Sequence, residues 1–239
     1  MTAGTAASAT GTATNHHVDP TLNYTPRPLS RGQRSRREVF VYQSPRNQRV
    51  VTVSDAANFA LALRLEFDPE VRRYVERPRQ LQLTPKTRID LSFWSQTTSG
   101  DQRFHLLIPA TRTAHGTTGT VTLPSPEELI EIGDRNGVLL TCLSESELLS
   151  SLPQVAIAFE LLPLVWASER IAKRASIAAQ VKELLGRAER INLASVGGAI
   201  PHSEHQIRAT IAWMIHQGAA KLVDYAPGAN DAVLEACHD

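Results

Sequence analysis

Hydrophobic and polar positions fall into clear periods from about residue 54 of the 239-residue chain. Residues 54–67, SDAANFALALRLEF, open on Ser54 as a candidate N-cap and continue in Ala and Leu, which predicts a helix. The following DPEVRRYVERP predicts a second, short helix, with Asp68 as cap, Pro69 at the first helical position and Pro78 as the stop. Three strand-like runs come next: RQLQL (79–83), RIDLSFW (88–94) and FHLLIP (104–109). The first two alternate apolar and polar positions, as half-buried strands do. The third is more uniformly apolar, as expected of a strand covered on both faces. Ser125-Pro126-Glu127-Glu128 has the cap, the N1 proline and the capping box of a helix start, and Asn136-Gly137 supplies the stop. VLLTCL (138–143) reads as a buried strand, and Ser144 with Glu147 repeats the capping box before a further helix. The order is helix, helix, three strands, helix, strand, helix: an α/β sandwich.

From about Leu161 the strand signals vanish. ASERIAKRASIAAQVKELLGRAER (167–190) predicts one long amphipathic helix. Ser203 and Gln206 form another capping box, the helix it opens ends at Gly218, and AAKLVDY (219–225) is short and strand-like. Helices, a Gly turn and a short strand point to a winged helix-turn-helix, a motif that reads DNA in some proteins and docks partners in others. The predicted organisation is a tail over 1–26, an α/β domain over 27–165 and a winged helix-turn-helix domain over 166–239.

Composition narrows the class without naming a reaction. A hydrophobic fraction of 42% with 21% charged residues is that of an ordinary globular protein. No apolar run approaches a membrane span, and no basic-then-apolar leader opens the chain, so a cytoplasmic protein is expected. Two cysteines, Cys142 and Cys237, make no disulfide framework. MTAGTAASATGTAT (1–14) has too little apolar surface to offset its ordering entropy and is expected to be disordered. The net charge of +1 averages over local patches. Between Arg27 and Arg49 the chain places Arg27, Arg31, Arg34, Arg36, Arg37, Arg46 and Arg49 against one acid, Glu38. A single-sign, all-arginine stretch is a candidate phosphate-contacting surface, with a solvated loop as the plain alternative. Arg31, Arg34, Arg36, Arg37, Arg46 and Arg49 are thus candidate DNA-binding residues. Gly-rich phosphate loops, the Rossmann fingerprint and the nucleophile-elbow serine are all missing from the sequence.

One combination goes further. LRLEFDPEVRRYVERP followed by RIDLSFW resembles the N-terminal domain of TnsA-type endonucleases, which work beside a DDE transposase in heteromeric transposition systems. Glu66, Phe67, Asp68, Pro69, Val71, Tyr74, Glu76 and Pro78 match the family's pattern, with Arg77 where the family favours Gln. IGDRNGVLLTCLSESEL and ATIAWMIHQGAAKLVD are similar to its later helix–strand–helix and to its helix-turn-helix module. The resemblance implies a restriction-endonuclease-like PD-(D/E)xK domain followed by the winged helix. It also implies contact with transposon-end DNA, a DDE transposase or an AAA+ regulator as partner, and association with a prokaryotic nucleoid when assembled.

In such a family two carboxylates hold Mg²⁺, the metal activates water, and a lysine positions the nucleophile. The resemblance asks for an acid on the first helix, an acid on the second strand and acid-x-Lys on the third. Asp90 stands at the strand position. On the first helix the acid's place falls near Ala56 or Ala57, and Asp55 is the nearest carboxylate. Leu107-Ile108-Pro109-Ala110 stands where acid-x-Lys belongs. A lone carboxylate cannot organise Mg²⁺, so the expectation is a nuclease-like fold with a degenerate centre, Asp90 being its remnant. Two alternatives remain. One is an active metal-dependent endonuclease with a site rearranged around Asp55, Asp90 and Asp101 or His105. The other is a stand-alone winged-helix regulator, for which the candidate helix around His205 and Arg208 is thinly basic.

Overall fold

The computed structural model describes residues 24–117, 119–225 and 232–237, apart from the side chain of Arg36. The tail expected over 1–26 therefore lies outside the described residues up to residue 23. The chain runs through α1 (Arg31–Arg36), a hairpin of β1 (Val39–Ser44) and β2 (Arg49–Ser54), and α2 (Ala56–Phe67). Five strands follow, β3 (Val71–Glu76), β4 (Gln80–Gln82), β5 (Arg88–Asp90), β6 (Phe93–Thr97) and β7 (Gln102–Ile108). The hairpin of β8 (Thr113–Gly116) and β9 (Gly119–Thr122) leads to α3 (Pro126–Arg135), β10 (Leu140–Ser144), α4 (Glu145–Ser150) and α5 (Leu152–Ser168). The C-terminal part holds α6 (Arg174–Ala188), β11 (Arg190–Asn192), α7 (Leu193–Ala199), α8 (Glu204–His216), β12 (Ala220–Val223) and β13 (Val233–Ala236).

Local sequence explains where these elements depart from the periodicity reading. DPEVRRYVERP forms strand β3, not a helix. The Asp68 carboxylate accepts the Glu70 N–H at 2.9 Å and the Asp68 carbonyl accepts the Val71 N–H, so Asp68-Pro69 builds a turn. Val71, Tyr74 and Val75 then behave as the β-branched and aromatic residues they are. RIDLSFW is two strands: β5 ends at Asp90, and β6 starts at Phe93 in a different sheet. The helix expected over 167–190 breaks between Ser168 and Arg174, where the Ser168 hydroxyl donates to the Val165 carbonyl at 2.6 Å and turn bonds replace helical ones. The boundary at 165 therefore falls inside α5. The arginine-rich stretch is mostly regular structure, a Ser30-capped α1 and the start of a hairpin.

The central sheet has the order β10-β7-β6-β3, with β3, β6 and β7 an antiparallel meander and β10 parallel to β7 across the α3 crossover. Neighbouring residues of a strand face opposite sides of a sheet. Tyr74, Phe93 and Leu107 thus meet α2, the β1–β2 hairpin and Leu148 of α4. Val75, Trp94, Phe104 and Leu106 meet Leu129 and Ile132 of α3 together with Leu81 and Ile89. Those last two belong to a second, outer sheet of order β4-β5-β8-β9. α2 is apolar on nearly every side because it lies between sheet and helix: Leu61 and Leu65 face the sheet, while Leu63 packs on Ala158 and Leu162 of α5.

In the C-terminal part, α6, α7 and α8 surround Ile177, Val181, Leu185, Val196, Ile207, Ile211, Met214 and Leu234, against an antiparallel sheet of order β11-β13-β12. This part is joined firmly to the first. Ala212 of α8 packs between Leu161 and Val165 of α5. Buried Glu66 accepts hydrogen bonds from Ser44 Oγ at 2.5 Å, the Tyr74 hydroxyl at 2.6 Å and the Arg46 N–H at 2.8 Å, and sits 2.8 Å from His216 Nε2 of α8. Among the described residues, no helix is long and apolar enough to cross a membrane.

Candidate functional site

A cavity of about 320 Å³ opens where four elements meet: the N-terminus of α2, the link from β5 to β6, the end of β7 and the β8–β9 hairpin. Its wall includes Asp55, Ala56, Ala57, Asp90, Leu107 and Pro109. The three places where the resemblance puts its acids and its lysine, distant in sequence, therefore converge on one cavity.

Both candidate carboxylates are held by arginines. Asp55 follows β2 with φ at 67° and caps α2 in place of the expected Ser54, its Oδ1 accepting the Asn58 N–H at 2.9 Å. Its Oδ2 takes Arg37 Nη1 at 2.7 Å. Asp90 Oδ1 takes Arg27 Nη1 at 2.5 Å and the Gln80 amide at 3.1 Å. Arg27 is itself placed by Arg77. The Arg27 N–H donates to the Arg77 carbonyl at 3.2 Å, and Arg77 Nε donates back to the Arg27 carbonyl at 2.8 Å. Arg77 is buried, which pushes its guanidinium pKa down, and its Nη1 is satisfied by the Thr52 carbonyl at 2.6 Å. Arg77 stands where the resemblance expects Gln.

The chemistry of these donors does not fit a hard divalent cation. Mg²⁺ needs several oxygens with free lone pairs and uncompensated negative charge. Here each carboxylate already carries a guanidinium partner, and the end of β7 offers Pro109 and Ala110 in place of acid-x-Lys. Among the described residues, no group of three or more His, Cys, Asp and Glu side chains is arranged to hold a metal ion. Asp101 and His105, considered for a rearranged site, do not line the cavity. Asp101 sits in the β6–β7 turn, bonded to Ser99. His105 faces away, 2.7 Å from Ser95 Oγ, and its burial pulls its pKa to about 4, so it is a neutral imidazole. Glu145 and His115 do line the cavity, which sequence reasoning missed; Glu145 Oε2 accepts the Ala110 N–H at 2.8 Å.

The candidate DNA-binding arginines divide. Arg31, Arg34 and Arg37 are exposed, although Arg34 Nε bonds the Leu29 carbonyl and Arg37 holds Asp55. The side chain of Arg36 lies outside the described residues. Arg46 and Arg49 are spent internally. Arg46 bonds the carbonyls of Glu66, Val71 and His216, and Arg49 makes a two-point contact with Glu76 at 3.0 and 2.6 Å. A guanidinium committed to buried partners is not available to phosphate.

Helix α8, expected from the sequence to be the recognition element, is also committed. Seven of the 13 residues of α8 are buried, because its own core lies on one side and α5 on the other. Its exposed face carries Glu204, His205 and Arg208, and Arg208 pairs with Glu204 at 3.6 Å. Charge is unevenly spread: residues 24–125 carry sixteen Lys and Arg against eight Asp and Glu, residues 126–165 one against seven, and residues 166–239 eight against eight. No protein-family model matches this chain, and no curated protein matches it.

Proposed function

We propose that the chain is a TnsA-like component of a prokaryotic DNA transposition machinery. In this reading it contacts transposon-end DNA, assembles with a DDE transposase or an AAA+ regulator, and acts as an accessory subunit without cutting. The observation that carries the proposal is the single cavity formed by Asp55, Ala56, Asp90 and Pro109, with an arginine on each carboxylate. The helix α2, the β3-β6-β7 meander, the α3 crossover and parallel β10 follow the element order of a restriction-endonuclease-like domain, which supports the resemblance. The α6–β13 part, with its sheet order β11-β13-β12, supports a winged helix. The balanced charge of residues 166–239 and the covered α8 favour that module as a docking element and weigh against the stand-alone regulator.

The test is a cleavage assay on transposon-end DNA with the partner transposase and Mg²⁺ or Mn²⁺ present. The expected result is no 5′-end cut attributable to this chain, and equal behaviour of wild type and Asp90→Ala. Cutting by wild type that Asp90→Ala loses would establish the alternative, an active endonuclease. Glu145 and His115 are the remaining cavity-wall groups such a site could draw on.

A further inference from the structure

A second cavity, of about 510 Å³, lies on the outer sheet beside the first. Its side chains are Arg27, Arg79, Arg88, Gln80, Gln82 and Asn136, with Pro78 completing the wall and no acid among them. The alternation of RQLQL and RIDL builds it. Leu81 and Ile89 pair across β4 and β5 and point into the core, so Gln80 and Gln82 stand opposite Asp90 and Arg88 on the other face. Asp90 is neutralised by Arg27, which lines this cavity, while Asp90 lines the first. Among the described residues, the side chains of Arg79 and Arg88 make no hydrogen bond or ion pair. They differ in this from Arg46, Arg49 and Arg77, whose guanidiniums all have partners inside the protein.

We infer that this face of the outer sheet is a second nucleic-acid contact, in which Arg79 and Arg88 bind backbone phosphates of duplex DNA. The inference rests on the proposed function and gives it a direction. Two unpaired guanidiniums in a concave surface ringed by amide side chains suit phosphodiester oxygens, which accept paired N–H donors and carry one negative charge each. Arg27 joins the cavity to the segment bearing Arg31, Arg34 and Arg37, so one basic track runs from α1 across the β4–β5 edge. That track belongs to residues 24–125, which carry an excess of basic residues that residues 166–239 lack. DNA is thus held by the α/β domain, along a surface that the arginine-rich stretch alone did not reveal.

The test is fluorescence anisotropy of a labelled duplex with the full chain over a series of salt concentrations. The variants are R79E/R88E and, as control, R187E on exposed α6. Losing two phosphate contacts lowers the slope of log K against log salt by about 2, and affinity falls about tenfold or more. R187E is expected to bind like wild type. The melting temperature of each variant is measured alongside; if the reversals disturb folding, R79Q/R88Q removes the same charges and is expected to show the same loss of slope. If wild type binds DNA and R79E/R88E binds equally with an unchanged slope, this inference is overturned while the proposed function stands. If wild type binds no DNA at salt low enough to favour it, the proposed function fails and this inference with it.

Discussion

Glu66→Ala is expected to destabilise the folded chain by about 3–5 kcal/mol, among the largest effects of any single substitution. Glu66 is fully buried at the end of α2, and its two oxygens serve four partners from β1, the β1–β2 turn, β3 and α8. Burial pushes its carboxyl pKa up. The bonds from His216, Ser44, Tyr74 and the Arg46 N–H outweigh that and hold it below the usual carboxylate range. The alanine variant leaves those four groups facing a void, each unmet polar group costing about 1–3 kcal/mol. Arg46 is affected too, since its guanidinium spans the Glu66, Val71 and His216 carbonyls around the same node. The sign of the pH dependence follows. A depressed carboxylate pKa contributes stability above the unfolded pKa and loses it as pH falls through the folded one. Acid unfolding of wild type should therefore include a step that Glu66→Ala lacks. Chemical denaturation at neutral and acid pH measures both, and a neutral-pH loss below about 1 kcal/mol would show that the node is not a structural centre.

Gly218→Val is expected to cost about 3–5 kcal/mol, by strain added to overpacking. Gly218 ends α8 in the left-handed region (φ 73°), where a β-branched residue is disfavoured. A Cβ placed there would lie 2.4 Å from Pro69 Cβ and 3.0 Å from its Cγ. Pro69 is rigid and sits in the turn before β3, so neither side can yield without parting the C-terminal module from the α/β domain. Thermal unfolding reads the loss, and Pro69→Gly, which removes both clashing atoms, combined with Gly218→Val should recover part of it. Full additivity of the two would mean that the contact is not the cause.

Capping boxes were the most legible feature of the sequence. Ser125, Ser144 and Ser203 each cap a helix with the reciprocal capping box their spacing implies. RQLQL and the apolar FHLLIP also fall where β4 and β7 lie. DPEVRRYVERP misled because Asp-Pro starts a helix or a turn with the same residues, and only pairing with β6 settles the choice. RIDLSFW concealed a change of sheet at Leu91-Ser92, since alternation continues across it while the hydrogen-bond partners change. The β1–β2 hairpin was hidden by its arginines, which a charge count reads as solvent-facing. Arg46 and Arg49 show why that fails: a guanidinium can satisfy buried carbonyls and carboxylates as well as phosphate, and sequence does not say which. At the candidate site, Asp90, Asp55 and the empty place of acid-x-Lys were legible as separate positions. The pairing of each carboxylate with an arginine was not, because Arg27 and Asp90 are 63 residues apart.

Whether this cavity can take a divalent cation is read by calorimetric titration of the full chain with Mn²⁺ and Mg²⁺. Guanidinium-paired Asp55 and Asp90, with no acid-x-Lys beside them, predict no saturable binding through the millimolar range, identical for wild type and Asp90→Ala. Saturable one-to-one binding by wild type that Asp90→Ala abolishes would overturn the degenerate centre and restore a metal-dependent nuclease.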